Sequence, residues 1–237
     1  MPAPPGPIQR LARPIFEVFA GFYDWMTWQA AWRGHCATLV DHFPAAQAPE
    51  RPLRVLDLGV GPGVSGVGVL DRLPEALVVG LDFSRAMLAR AQRHCDEVGR
   101  GFPLVHADAT RLPFADGVFD VVIGHSFLYL LRDPEAVVAE VARVLRPGGG
   151  GVFLEPADTG RFRTALATPG PKRMKLAMVM WRTFSGQAGR FSEPRLRALL
   201  GQHLAVQHID ATLGGLGYRA VARKPSCASM SGSGPPV

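Results

Sequence analysis

Three aspartates close three apolar runs at nearly even intervals: Val55-Leu56-Asp57, Leu77-Val78-Val79-Gly80-Leu81-Asp82 and Pro103-Leu104-Val105-His106-Ala107-Asp108. The first run continues into Leu58-Gly59-Val60-Gly61-Pro62-Gly63. A glycine loop after a buried strand lets a ligand rest on backbone, since side chains would block its approach and the turn calls for positive φ. Open α/β sheets bind ligands beyond the carboxyl ends of their strands, where this loop falls. An acid about 20 residues past such a loop accepts hydrogen bonds from both hydroxyls of a ribose, and Asp82 stands 25 residues after Asp57. The chemistry is one of matched counts: a cis-diol offers two donors, a carboxylate two acceptor oxygens. Asp108, 26 residues further on, is placed to accept from an exocyclic adenine amine. The glycines alone would say little in a chain that has 27 of them. With the acids, they point to an adenosine-bearing ligand.

These residues need a sheet to hold them. Short apolar strands near 53–58, 77–82, 103–107, 119–124 and 150–155 alternate with helices near 63–72, 85–98 and 133–145. That alternation implies a parallel sheet covered on both faces. Asp133-Pro134-Glu135 is a good helix start, with an N-cap acid and proline in the first turn. Residues 8–43 carry a helical pattern whose aromatic residues, Phe16, Phe19, Phe22, Tyr23, Trp25, Trp28 and Trp32, fall mostly on one stripe. A linker, 44–52, follows. After the fifth strand, residues 157–200 interrupt the alternation with a helical, Met-rich stretch, Met174 to Trp181, and Glu193-Pro194 opens another helix. Two more strands are expected at 204–211 and 217–223. Residues 1–7 are Pro-rich and expected to be disordered, and 226–237 have the composition of a flexible tail. One domain, 8–225, accounts for the rest.

In this order the motifs resemble those of class I S-adenosylmethionine (SAM)-dependent methyltransferases. Leu112-Pro113-Phe114 and Gly117-Val118-Phe119-Asp120-Val121-Val122 resemble that family's approach to strand four. Glu140-Val141-Ala142-Arg143-Val144-Leu145-Arg146-Pro147-Gly148-Gly149 resembles its helix and turn before strand five. The match is close over 53–156. It implies SAM as cofactor and a Rossmann-like, seven-stranded, mostly parallel sheet, with helices on both faces, a helical N-terminal lid (8–43) and a helical insert (157–200) capping the substrate. Gly59, Gly61 and Gly63 would then lay backbone against the methionine end of SAM. Asp57 would fix the loop and the amino group of SAM, or cap the next helix. Asp82 would bind the ribose, Phe83 and Met87 would pack on the adenine or in the core, and Asp108 with the backbone of Ala109 would read the adenine edge.

The loop holding Gly124, His125, Ser126 and Tyr129 borders the reactive methyl in this family. There His125 is either a general base, its ordinary pKa of about 6.5 lying near neutral, or a backbone contact to SAM. Glu155 and Asp158, at the end of strand five, are the next candidate bases. Phe22-Tyr23-Asp24 and Leu154-Glu155-Pro156 resemble segments of ubiquinone and menaquinone C-methyltransferases, where the Tyr-Asp element helps to lid the SAM site, so Tyr23 is a candidate lid residue. That group's Arg-Asn pair after strand four is replaced here by Leu-Tyr-Leu around Tyr129, which counts against a quinone. The N/D-P-P-Y/F motif of many amino-group methyltransferases is absent, which counts against DNA adenine and protein glutamine.

Composition bounds the rest. A hydrophobic fraction of 47% and a charged fraction of 19% suit a soluble globular protein, and no apolar run approaches the roughly 20 residues that span a bilayer. Met1 to Pro7 lack the basic-then-apolar order of a secretory signal. Cys36, Cys95 and Cys227 are scattered, which fits reduced thiols in a cytoplasmic protein and no metal. The net charge of +6 is uneven: 157–200 hold nine Lys and Arg against Asp158 and Glu193. Such a patch suits an anionic substrate, a membrane surface or nucleic acid, or is an ordinary solvated face. The aromatic N-terminal helix packs in the core, lines the site, or docks at a membrane interface. The resulting expectation is in-line methyl transfer to a small-molecule or lipid-like acceptor held between that helix and the insert, at an O-, C- or N-nucleophile, with peripheral membrane contact. An RNA methyltransferase is the alternative, weakened by the lack of any RNA-binding module, so nucleic acid is not an expected partner. A non-catalytic SAM-binding protein is a further alternative. A NAD-dependent oxidoreductase would show G-x-G-x-x-G, a spacing that Gly59, Gly61 and Gly63 do not follow.

Overall fold

Side-chain alternation along the strands decides the architecture of this computed structural model, which describes residues 21, 23–25, 27–44, 51–167 and 171–226. Val55, Val121, Ile123, Val152, Leu154 and Val221 join one apolar cluster, while Leu56, Leu58, Val122, Phe153, Ala220 and Ala222 join a second. A strand places successive side chains on opposite faces, so a sheet apolar on both faces needs cover on both. The strands are β1 (Arg54–Leu58), β2 (Leu77–Asp82), β3 (Leu104–His106), β4 (Phe119–His125), β5 (Leu145–Pro156), β6 (Ala205–Thr212) and β7 (Gly217–Arg223). They form one sheet in the order β3-β2-β1-β4-β5-β7-β6. All neighbours are parallel except that β7 runs antiparallel to β5 and β6.

One face is covered by α1 (Ala30–Ala37), α2 (Val64–Arg72) and α3 (Arg85–Val98), joined by the insert helix α6 (Lys172–Ala188). The other is covered by α4 (Pro134–Val144) and α7 (Glu193–Leu200). The short α5 (Phe162–Ala167) packs on α6. Local chemistry sets the helix starts. Asp133 accepts from the Ala136 N–H ahead of Pro134 at the head of α4, as its sequence predicts. Ser84 accepts from the Met87 N–H at the head of α3, and Gly99 ends that helix at φ 64°.

Three expectations change. Strand five begins at Leu145, where a free turn was expected. Leu145 pairs with Phe119, and the Gly148 N–H and Gly149 carbonyl are bonded to Lys224, so the proline-glycine turn is sewn into the sheet. One face of the Met-rich stretch is core: Met174, Met178 and Trp181 are buried with Trp32, Cys36 and Leu39. Gly63 serves as the N-cap of α2 at φ 90°. The proline-rich start (1–7), Phe16, Phe19, Phe22 and the tail beyond Ser226 lie outside the described residues.

Candidate active site

Strand order reverses between β1 and β4, and a crevice at such a switch point receives ligands. A cavity of about 260 Å³ opens at the carboxyl ends of these strands. The sequence-predicted residues Tyr23, Gly59, Gly61, Asp82, Phe83, Met87, Asp108, Ala109 and His125 all line it. Asp57, Gly63 and Glu155 do not.

Each of these positions has a local cause. Gly59, Gly61 and Gly63 have φ of 70°, 51° and 90°, the left-handed region that glycine enters freely. A Cβ at Gly59 would stand 2.8 Å from the Phe127 ring, and one at Gly63 3.3 Å from the Ala91 Cβ. Gly59 thus makes room for the β4 loop and Gly63 for α3, while Gly61 keeps backbone open to the cavity. Asp82, at the tip of β2, accepts the Gly61 N–H at Oδ2 (2.9 Å) and the Ser84 N–H at Oδ1 (2.8 Å). It therefore braces the glycine loop as well as facing the cavity. Asp108 Oδ1 accepts both the N–H and the hydroxyl of Thr110, each at 2.9 Å.

The residues outside the cavity correct three expected roles. Asp57 is buried beneath the loop; burial pushes its carboxyl up to about 7, a hydrogen bond from the Gly66 N–H opposes this, and Oδ2 has no partner. It braces the start of α2 from beneath the loop and is not among the residues that line the cavity. Glu155 is buried as well: its Oε1 accepts the N–H groups of Phe127 (3.2 Å) and Leu128 (2.9 Å), and its Oε2 that of Tyr129 (3.2 Å). Burial raises its carboxyl to about 8 against the pull of those three bonds. It is a clamp on the β4 loop. Asp158 lies away from the cavity, its N–H on the Phe191 carbonyl. His125 does line the cavity, yet burial lowers it to about 3, with the neighbouring His35 adding to the fall, and its Nε2 is shielded and unbonded. At neutral pH it is uncharged and too weak for the base role its ordinary pKa suggested. Tyr129 turns to a smaller cavity of about 200 Å³ with Phe191 and Arg195.

Sequence reading placed Ser126 in the loop beside the site and Trp32 on the aromatic stripe, but three roles escaped it. Ser126 is buried, has φ 56°, and accepts the Trp181 Nε1–H at 3.1 Å. Trp32 of α1 meets both His125 (5.3 Å, edge-on) and Trp181 (5.7 Å, edge-on), so the N-terminal helix and the insert join behind the β4 end. No described residue of 157–200 lines the cavity, so the insert acts on it from behind. The third is His94 of α3. Its Nδ1 donates to the Pro62 carbonyl in the glycine loop (2.9 Å), its Nε2 lies 3.2 Å from Asp24 Oδ1, and Trp28 stacks on its ring at 3.7 Å. It ties the Tyr23-Asp24 segment to the loop. None of these pairings has a sequence signal, since the partners are distant in the chain.

The donor set fits SAM. Asp82 lines the cavity with its carboxylate held by backbone N–H groups of Gly61 and Ser84, an acceptor suited to neighbouring hydroxyls. Beside it lie Phe83 and Met87 for a flat ring and Asp108 for an amine. A seven-stranded sheet with one reversed strand, carrying this cradle at its switch point, is the fold of the class I SAM-dependent methyltransferases. Residues 55–149 match the family model described as a methyltransferase domain, and that stretch is a methyltransferase domain of this class, with SAM as its cofactor. A demethylmenaquinone methyltransferase of Thermus thermophilus is 42% identical over 115 residues, which are 48% of this chain and 52% of that protein. A phosphatidylethanolamine N-methyltransferase of Cereibacter sphaeroides is 41% identical over 107 residues, 44% of this chain and 51% of that protein. The chain spans about half the length of the curated relatives it matches. Among solved structures, the cyclase SpnF superposes with a TM-score of 0.69 over 94% of this chain and 98% of its own, at 16% identity. That likeness concerns the fold, which by itself does not fix a reaction. Among the described residues, no helix is long and apolar enough to cross a membrane, and no cluster of His, Cys, Asp or Glu is placed to hold a metal.

Proposed function

We propose that this chain transfers the methyl group of SAM to a small-molecule or lipid-like acceptor, by in-line displacement in the cavity between β1 and β4. The observation that carries the reading is Asp82, which lines the cavity at the tip of β2 while backbone N–H groups hold both of its oxygens. When bound, SAM supplies an electrophilic methyl carbon on a positively charged sulfur. The remaining work is alignment. Gly59 and Gly61 offer backbone, Asp108 and Ala109 meet the adenine edge, and Tyr23 lids the site. Holding a nucleophile about 3–3.5 Å from the methyl, in line, supplies up to about 7–11 kcal/mol.

On the acceptor side the reading assigns Ser126. An indole N–H only donates, so the Trp181 bond occupies a lone pair of Ser126 Oγ and leaves the hydroxyl proton to find another acceptor. We assign that proton to an oxygen of the methyl acceptor. With Glu155 and Asp158 outside the cavity and His125 so weakly basic, the acceptor ionises without a side-chain base: an unprotonated amine, or an enol or phenol that loses its proton to water. Leu81, Phe127, Leu130 and Leu131 give the cavity apolar walls, which suit a lipid-like acceptor. Such an acceptor fits a cytoplasmic, membrane-peripheral setting, and no nucleic acid.

The test is methyl-labelled SAM incubated with fractionated cell extract, followed by mass spectrometry of labelled products. The expected result is label in an organic-soluble product, with S-adenosylhomocysteine released. In calorimetry, Asp82→Ala should weaken SAM binding by about 100-fold or more, the loss of two hydrogen bonds to a charged acceptor. Tight SAM binding with no S-adenosylhomocysteine from any fraction would mean a non-catalytic binder, and label in the RNA fraction would move the acceptor to RNA.

A further inference from the structure

The longest stretch of the chain without an acidic residue is also where its exposed apolar side chains gather. Residues 159–192 contain seven Lys and Arg and no Asp or Glu. Two of the seven are used internally: Arg182 donates to the Ala157 carbonyl and Arg190 to the Ser185 hydroxyl. The other five, Arg161, Arg163, Lys172, Arg173 and Lys175, make no ion pair and no side-chain hydrogen bond among the described residues. A surface cation usually finds an acid nearby, as Arg197 finds Glu193 in α7.

The apolar side is equally uneven. Of seven large hydrophobic side chains exposed among the described residues, four lie on α5 and α6: Phe162 (52%), Leu166 (57%), Leu176 (47%) and Phe184 (39%). Phe162 and Leu166 stand four apart and share one side of α5. On α6 the positions divide by face. Met174, Met178 and Trp181 are buried on one stripe, while Leu176 stands nearly opposite and Arg173 and Phe184 lie exposed on the flank. The inner face of α6 is thus fully occupied, and its outer face keeps apolar groups in water beside unpaired cations. Exposed apolar groups gathered in this way mark an interaction surface.

We propose that α5 and α6 form a docking surface for an anionic phospholipid bilayer. Phe162, Leu166, Leu176 and Phe184 enter the boundary between headgroups and acyl chains, and the five cations lie against headgroup phosphates. An amphipathic helix with basic residues beside exposed Leu and Phe lies in that interface, and each basic residue near an anionic membrane adds attraction. Nucleic acid would use the cations but has no place for aliphatic leucines, which lack the ring face that stacks on a base. The inference gives a location to the membrane-peripheral setting proposed above. It concerns attachment and not the reaction, so its failure leaves the SAM site and methyl transfer as they stand.

The test is sedimentation of the full chain with vesicles of equimolar phosphatidylglycerol and phosphatidylcholine, against phosphatidylcholine alone. Binding is expected only to the phosphatidylglycerol vesicles, weakening as salt rises. Lys172→Gln and Arg173→Gln should each weaken it about fivefold. Leu166→Ser and Leu176→Ser should each cost on the order of tenfold. SAM affinity by calorimetry should match the parent in all four variants, which shows that they fold. Failure to bind phosphatidylglycerol vesicles at low salt overturns the proposal. So does equal binding to both vesicle types, or binding that the four substitutions leave unchanged. Salt-sensitive binding to polyuridylate in place of vesicles would reassign the surface to nucleic acid.

Discussion

Ser126 joins a strained backbone to an incompletely used hydroxyl. A non-glycine residue at φ 56° costs on the order of 1–3 kcal/mol and persists where its surroundings impose it. Here its N–H on the Leu154 carbonyl (2.7 Å) and its Oγ under the Trp181 indole impose it. Ser126→Ala should lower turnover about 10-fold to 100-fold with SAM affinity kept. It should also lower the melting temperature, because the Trp181 N–H loses its acceptor at a cost of about 1–3 kcal/mol. Adding Trp181→Phe removes the orphaned donor and should recover stability without recovering turnover. If the double variant turns over like the parent, Ser126 serves the fold alone. At this scale the sequence was legible where chemistry is local. Asp82 and Asp108 stand at strand tips, and Gly59 and Gly61 in the turn that needs them, so their spacing carried them to the cavity. His125 and Glu155 had suitable residue types, but type says nothing of burial, and burial moves one to about 3 and the other to about 8.

The elements around the cavity divide into a floor of strands and a fastened segment that carries Tyr23. β1, β2 and β4 make the floor. The segment carrying Tyr23, proposed above as a lid, is tied down where Asp24 meets His94 (3.2 Å) and Arg90 (3.7 Å) on α3. His94 also holds the Pro62 carbonyl, so one imidazole joins this segment to the glycine loop. Asp24→Asn removes the charge from this tie and should weaken SAM binding about threefold to tenfold in calorimetry, the scale of a partly exposed ion pair. Equal affinity in the variant would show that the segment does not lid the site. The alternation of strands and helices was readable because each element's period is printed in its own residues. The direction in which α6 faces was not: its methionines fit a substrate cap by composition and turned out to be core.

At the scale of the whole molecule, the buried ionisable groups set a pH window for stability. Asp57 and Glu155 are held up at about 7 and 8, against roughly 4 when unfolded. The folded state thus binds more protons, and the stability these groups lend is complete at acid pH and lost as pH rises through 7 and 8. His35 and His125 are held down at about 4 and 3 by burial, against roughly 6.5 when unfolded. Their contribution is present above about 6.5 and lost as pH falls. Asp120 adds to the acid side: burial alone would raise it, but bonds from Arg51 and the Arg54 N–H, with the charge of Arg146, hold it below the ordinary carboxylate value. The melting temperature should therefore be highest near pH 5–6.5 and fall on both sides. Glu155→Gln should flatten the fall between about pH 6.5 and 8 by about 1–2 kcal/mol. An unchanged alkaline slope in thermal melts would show that Glu155 is ionised throughout.

The sequence by itself determined the sheet, the glycine loop and the acids, Asp82 and Asp108, that line the cavity. Each depends on residues within one strand or turn, where period, spacing and allowed φ suffice. Only the tertiary structure decided which polar groups are reachable. Long-range packing buried Asp57 and Glu155, silenced His125, turned Ser126 to the cavity and left the outer face of α6 in water.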